Sequence, residues 1–215
     1  MSGISALLRR RVPSKNQNLE FYQFLKSDGV AYIRTDYYPQ SYDELSCIFF
    51  KSSNESQFIL GSRDTSRSLL FLPTNTEVYY SVFYKDIVSF ESPMNYTINK
   101  LLIYNDHSTE GKFYRVVSYA GREVARVLVE SSLASQLAAP LHLFSCNIAG
   151  QQSVDTRIMP GYIGEVIVKR DGRVIHQYTP CKSGTSVGLY DQITGKMYEN
   201  ANTQGAFSLH NQIEL

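Results

Sequence analysis

The stretch that decides the fold is CKSGTSVGLYDQITGKMYEN, residues 181–200. Two short runs, around Gly188 to Tyr190 and Lys196 to Glu199, each follow a polar stretch that carries a glycine. Runs this short, bounded by glycine and small polar residues, read as β-strands. Gly188 and Gly195 permit tight turns or a close approach of another backbone. Asp191 and Asn200 are short polar side chains suited to accepting hydrogen bonds from turn amides. Cys181 follows Pro180 with no histidine placed to activate it, so it reads as a small core residue. The segment closes a sheet and carries no chemistry.

Working outward, VIVKRDGRVIHQY contains the pair Asp171-Gly172, which can take the positive φ angles of a type I′ hairpin turn, and in RVVSYAGREVARV Ala120-Gly121 joins two runs of similar length. Further strands are expected at Ala31 to Thr35, Leu45 to Lys51, Gln57 to Ser62, Ser68 to Leu72, Val78 to Tyr84 and Tyr96 to Tyr104. Phe113 to Tyr119, Glu123 to Val129, His142 to Asn147, Gly161 to Arg170 and Val174 to Thr179 complete the set. One stretch, Val129 to Ala139, has helical features before Pro140, or is a loop with a single turn. Connections this short favour antiparallel neighbours, because parallel ones need crossovers of a dozen residues or more. The expectation is an all-β, antiparallel two-sheet sandwich.

The 215 residues suffice for one substantial core. A formal net charge of +1 supplies no overall field toward nucleic acid or acidic membranes. Sixteen Tyr and eleven Phe suit pleated surfaces. No run is long enough to cross a bilayer, and the N-terminus has its cations after a short apolar stretch, unlike a secretory signal. Three cysteines, Cys47, Cys146 and Cys181, lie far apart and are expected to be free and buried, as in a reducing cytoplasm. The Asn54-Glu55-Ser56 and Asn95-Tyr96-Thr97 triplets are then silent as glycosylation sites. Residues 1–18 form a separate basic arm, with Pro13 ending any helical turn, and residues 19–215 form the sandwich.

The C-terminal third resembles the concanavalin A-like lectin/glucanase sandwich, a laminin G-like jelly roll found in phage structural and bacterial surface proteins. The residues that carry the resemblance follow in order. They are Leu143, Phe144 and Asn147; Gly150; the Asp171-Gly172 hairpin; Pro180 and Cys181; Val187 to Asp191; and Tyr198, Asn200 and Ala201. Near the start, AYIRTDYYP at residues 31–39 resembles the family's early strand. The resemblance implies a concanavalin A-like jelly roll and, from its occurrence in phage particles, a virion protein.

Sandwich-fold glucanases carry their carboxylates on one strand as Glu-x-Asp-x-Glu, so that alternate residues face the cleft. That triplet is absent, and neither Glu77 nor Glu91 has an acidic mate two residues away. His107, His142, His176 and His210 make no HxH or HExxH spacing, so neither a metal site nor a cofactor is expected. A shallow sugar site needs only aromatic and polar loop residues, and Tyr37, Tyr38, Tyr42, Arg63, Asp64 and Arg67 are the candidates. Leu7, Leu8, Arg9, Arg10 and Arg11 combine apolar anchors with bidentate donors, suited to docking on an acidic protein surface. Together with the resemblance, these features lead to the expectation of a non-enzymatic bacteriophage virion protein made in the host cytoplasm. The arm would attach it to capsid or tail, as a head fibre, decoration or tail-fibre protein, and the sandwich would adhere to host-surface glycans. A homo-oligomer is expected, a trimer first. The alternatives are a bacterial carbohydrate-binding module and, behind it, a glycoside hydrolase.

Overall fold

A computed structural model describes residues 18–52, 56–64, 67–74, 77–84, 88–91, 98–107, 114–128, 136–148 and 158–212. The docking residues Leu7 to Arg11 therefore lie outside the described residues, as do both glycosylation asparagines and residues 129–135. Residues 136–139 are not helical, and no helix occurs among the described residues. In chain order the strands are β1 (Leu19–Phe21), β2 (Phe24–Asp28), β3 (Ile33–Arg34), β4 (Glu44–Lys51), β5 (Leu60–Arg63) and β6 (Ser68–Pro73). Next come β7 (Glu77–Tyr84), β8 (Val88–Glu91), β9 (Asn99–Asp106), β10 (Tyr114–Tyr119), β11 (Arg122–Leu128) and β12 (His142–Leu143). The last six are β13 (Asn147–Ile148), β14 (Pro160–Arg170), β15 (Arg173–Ser183), β16 (Ser186–Asp191), β17 (Lys196–Glu199) and β18 (Phe207–His210).

These strands make two sheets. The 11-stranded sheet runs β11-β10-β9-β4-β14-β15-β16-β17, with β2 against the start of β14, β18 against β2, and β1 against the end of β15. The 7-stranded sheet runs β3-β12-β5-β6-β7-β8, with β13 added beside β5. This is the two-layered, all-β sandwich expected from the sequence. Both expected hairpins are present. Ala120 and Gly121 have φ of 50° and 80°, and Asp171 and Gly172 have 50° and 71°, as a type I′ turn requires.

Alternation along β4 shows how the layers close. Leu45, Cys47 and Phe49 are buried between the sheets, while Glu44, Ser46 and Ile48 point to the other face and are only partly covered. From the 7-stranded sheet Ile33, Leu60, Leu69, Phe71, Val78 and Leu143 meet them in a single core. Smaller apolar clusters form on the outer faces, among them Phe24, Phe50 and Tyr162. All three cysteines are free and buried.

The C-terminal strands are held as the quoted stretch implies. Gly188 faces Glu199 across the β16–β17 pair, and a Cβ there would overlap the carbonyl oxygen of Tyr198. Asp191 accepts from the amides of Gln177 at 3.0 Å and Ile193 at 3.1 Å. Asn200 accepts from the amides of Tyr32 at 3.2 Å and Asn202 at 3.0 Å, tying the chain end to the first strands.

Some expectations need correction. The run His142 to Asn147 is two strands, because Phe144 between them takes a left-handed φ of 66°. That conformation is held by its amide's bond to the Ile59 carbonyl at 2.7 Å and its carbonyl's bond from the Met159 amide at 2.8 Å. The redirected β13 then pairs parallel with β5, an exception to the antiparallel rule. Strands β1, β2 and β18 were not expected from the sequence; they add to edges left open along β14 and β15.

Candidate functional site

Of the sequence-predicted loop residues, Asp64 and Arg67 are linked through Gln136 to Gln40, which lies between Tyr38 and Tyr42 in the chain. Arg67 forms an ion pair with Asp64 at 3.3 Å and reaches the carbonyl of Gln136 at 3.5 Å. Gln136 in turn bridges to Gln40, so Arg67 and the loop of Tyr37, Tyr38 and Tyr42 meet through residue 136. Arg63 is exposed beside them at the end of β5.

Tyr37 does not present a ring to solvent. It is 4% exposed, its hydroxyl donates to Asp43 Oδ2 at 2.7 Å, and its ring lies 5.1 Å from that of His176. Tyr38, 39% exposed, is the most open of the three tyrosines; Tyr42 is half-buried. The carboxylate behind this rim is fully engaged. Asp43 receives two bonds from Arg170, at 2.7 and 2.8 Å, and one from the Gln40 amide at 2.9 Å. Buried Arg115 donates to the Asp43 carbonyl and, at 2.8 Å, to Asn105. Burial, and then the adjacent Asp43 carboxylate, raise the Tyr37 hydroxyl far above its ordinary range.

Asp191 is also spent on structure. It accepts from His176 at 2.8 Å and Thr194 at 2.7 Å in addition to the two amides. Burial disfavours its ionised form, but these bonds, His176 first, outweigh it and hold the carboxyl below its usual range. Burial pushes the Cys47 thiol to about 12 and the Cys181 thiol to about 11, so neither is a thiolate at neutral pH. No cluster of three His, Cys, Asp or Glu that could hold a metal occurs among the described residues.

A second feature, missed from sequence, lies on the outer face of the 11-stranded sheet. A groove of about 270 Å³ crosses β9, β4 and β14. Its floor combines Leu102, Ser46 and Ile167, which neighbour one another across the three strands, with the Tyr104 ring at one corner. Lys100, Lys169 and Glu44 border it. The Glu44 carboxylate accepts from the Asn105 amide at 3.1 Å. The ammonium groups of Lys100 and Lys169 and the Tyr104 hydroxyl have no partner among the described residues. An apolar floor with one aromatic face and a polar rim fits an amphipathic ligand, apolar on one side and hydroxylated on the other. The signal was present as the alternation Lys100, Leu102, Tyr104, but Leu101 and Ile103 between them are as apolar, so β9 alone does not tell which face is open.

No protein-family model matches the chain, and no curated protein matches it. Among solved structures it is similar to domains LG4-5 of the mouse laminin alpha1 chain, with 10% identity, a TM-score of 0.47 and 80% of this chain covered. This chain spans 48% of that one. It is similar also to the CBM40 of Ruminococcus gnavus IT-sialidase, with 11% identity, a TM-score of 0.44, and 73% of this chain and 91% of that chain covered. A third similar structure is the native heptameric SAP-like pentraxin from Limulus polyphemus, at 10% identity and a TM-score of 0.39, covering 73% of this chain and 72% of that one. At these identities the likeness concerns architecture, and the sandwich assignment stands on the strand order and the core.

Proposed function

We propose that the protein is a non-catalytic binding module that holds a glycan in the groove across β9, β4 and β14. The observation that carries this is the groove itself, an aromatic and aliphatic floor edged by polar groups with free hydrogen-bonding capacity. Its lining supplies Glu44 as the one carboxylate, already bonded to Asn105, whereas hydrolysis of a glycosidic bond calls for two facing carboxyl groups. A glycan array probed with the wild type and Tyr104→Ala tests the reading. Loss of about fivefold or more in affinity on removing the ring is expected, in line with a single aromatic contact. Unchanged binding in the variant would move the site elsewhere, with the rim of Tyr38, Tyr42, Arg63 and Arg67 as the next place to look.

The setting of that module rests on sequence. Three consecutive arginines beside Leu7, Leu8 and Val12, joined to a jelly roll of the kind used in phage particles, favour a bacteriophage virion protein. The arm docks on capsid or tail protein, the sandwich faces outward, and a symmetric oligomer, a trimer first, presents several grooves together. Identifying the chain in purified particles supports this reading; a gene set of cell-wall-degrading enzymes around it favours a bacterial carbohydrate-binding module.

A further inference from the structure

We infer that the groove selects acidic glycans, bearing carboxylate or sulfate groups, over neutral ones, through Lys100 and Lys169; this rests on the glycan reading above. Four cations elsewhere among the described residues are held in ion pairs: Arg67 with Asp64, Arg170 with Asp43, Arg126 with Glu123 and Asp106, and Lys196 with Asp36. Lys100 and Lys169 are exposed and unpaired among the described residues, and both border the same groove. The chain's net charge is only +1, so a local surplus here is not the spill-over of a basic protein.

Register places the two lysines on opposite flanks of β4. Lys169 lies beside Glu44, and Lys100 beside Ile48. With strands about 4.8 Å apart and a rise of about 3.4 Å per residue, the lysine backbones stand about 10 Å apart across the strands and about 14 Å along them. Two cations at diagonal corners of an elongated floor match a linear ligand that carries acid groups on more than one sugar residue. Glu44, the opposing charge beside Lys169, accepts from the Asn105 amide at 3.1 Å and forms no ion pair with either lysine. Lysine is a point charge without the fork that favours a planar carboxylate, so uronate and sulfate ester are recognised by the same chemistry.

The experiment compares a galacturonate tetramer, a sulfated heparan tetramer and neutral maltotetraose on the full chain by titration calorimetry at low and high salt. Acidic oligosaccharides are expected to bind about tenfold more tightly than the neutral one at low salt, with the advantage shrinking as salt screens it. Lys100→Gln and Lys169→Gln should each remove about threefold to fivefold of the acidic binding and weaken neutral binding by a smaller factor. Galacturonate carries carboxylate alone and the heparan tetramer carries both groups, so binding of the heparan tetramer alone assigns the site to sulfate and equal binding of the two assigns it to carboxylate. Equal binding of neutral and acidic tetramers, insensitive to both substitutions, overturns the inference while leaving the glycan groove in place. Binding of none of the three sinks the glycan reading itself. A single-stranded oligonucleotide bound as tightly as either acidic sugar would assign the lysines to polyanions at large.

Discussion

Replacing Asp191 with alanine removes a fully buried carboxylate that serves as acceptor for Gln177, Ile193, Thr194 and His176. Each such bond contributes about 1 kcal/mol net, and more where the acceptor is charged. Water can reach the turn at Ile193, which is 40% exposed, whereas the Gln177 amide lies between strands and is left bare. The expected loss is about 3 kcal/mol, which for a domain of this size lowers the melting temperature by about 6–12 °C. Asp191→Asn, which retains one acceptor oxygen, should lose about half of that. The sign with pH is determined by the depressed carboxyl: its stabilisation is complete above the unfolded value of 3.8 and is lost as pH falls through the lower folded value. The gap between wild type and Asp191→Ala, measured by thermal melts followed by circular dichroism, should therefore be full at neutral pH and narrow below pH 3.8. A shift below 2 °C, or a gap that widens in strong acid, would refute the assignment of Asp191 as a structural pin. Glycan binding at the groove should be untouched in the folded variant, because the groove is built on other strands.

Three further outcomes are expected. His142 is 2% exposed with Nε2 unpartnered, and burial, then the nearby Arg34, push its pKa from 6.5 to about 4. The unfolded chain takes up this proton first, so stability should fall as pH drops from 6.5 toward about 4, by up to about 3 kcal/mol; urea midpoints across that range should flatten in His142→Phe. Gly188→Ala places a methyl group against the Tyr198 carbonyl and should cost about 1–3 kcal/mol or unpair β17, read as a lower melting temperature and faster amide exchange in residues 196–199. Deleting residues 1–18 should leave a folded domain that no longer joins its particle, judged by sedimentation with purified particles; a domain that unfolds would place the arm within the core.

The parts of the fold legible in sequence are those governed by a few adjacent residues. Asp171-Gly172 and Ala120-Gly121 announce their hairpins because positive φ is a local demand. Asp191 and Asn200 likewise show themselves as turn acceptors, although Asn200's partner Tyr32 lies 168 residues away. Strands β1, β2 and β18 were illegible for the opposite reason. Leu19–Phe21, Phe24–Asp28 and Phe207–His210 carry weak patterns of their own, and become strands by completing the edges of β14 and β15.

The candidate site divides along the same line. Tyr37 had the composition of a sugar platform, yet Asp43, held by an arginine 127 residues distant, draws its hydroxyl inside. Lys100, Leu102 and Tyr104 become a groove only because β4 lies between β9 and β14 and supplies Ser46 as the low centre of its floor. By itself the sequence determined the two-residue period of the strands, the turns between them and the absence of an alternating acidic triplet. Tertiary structure alone decided which face of each strand is open and which distant residues share it, because a face acquires its neighbours through pairings between segments far apart in the chain.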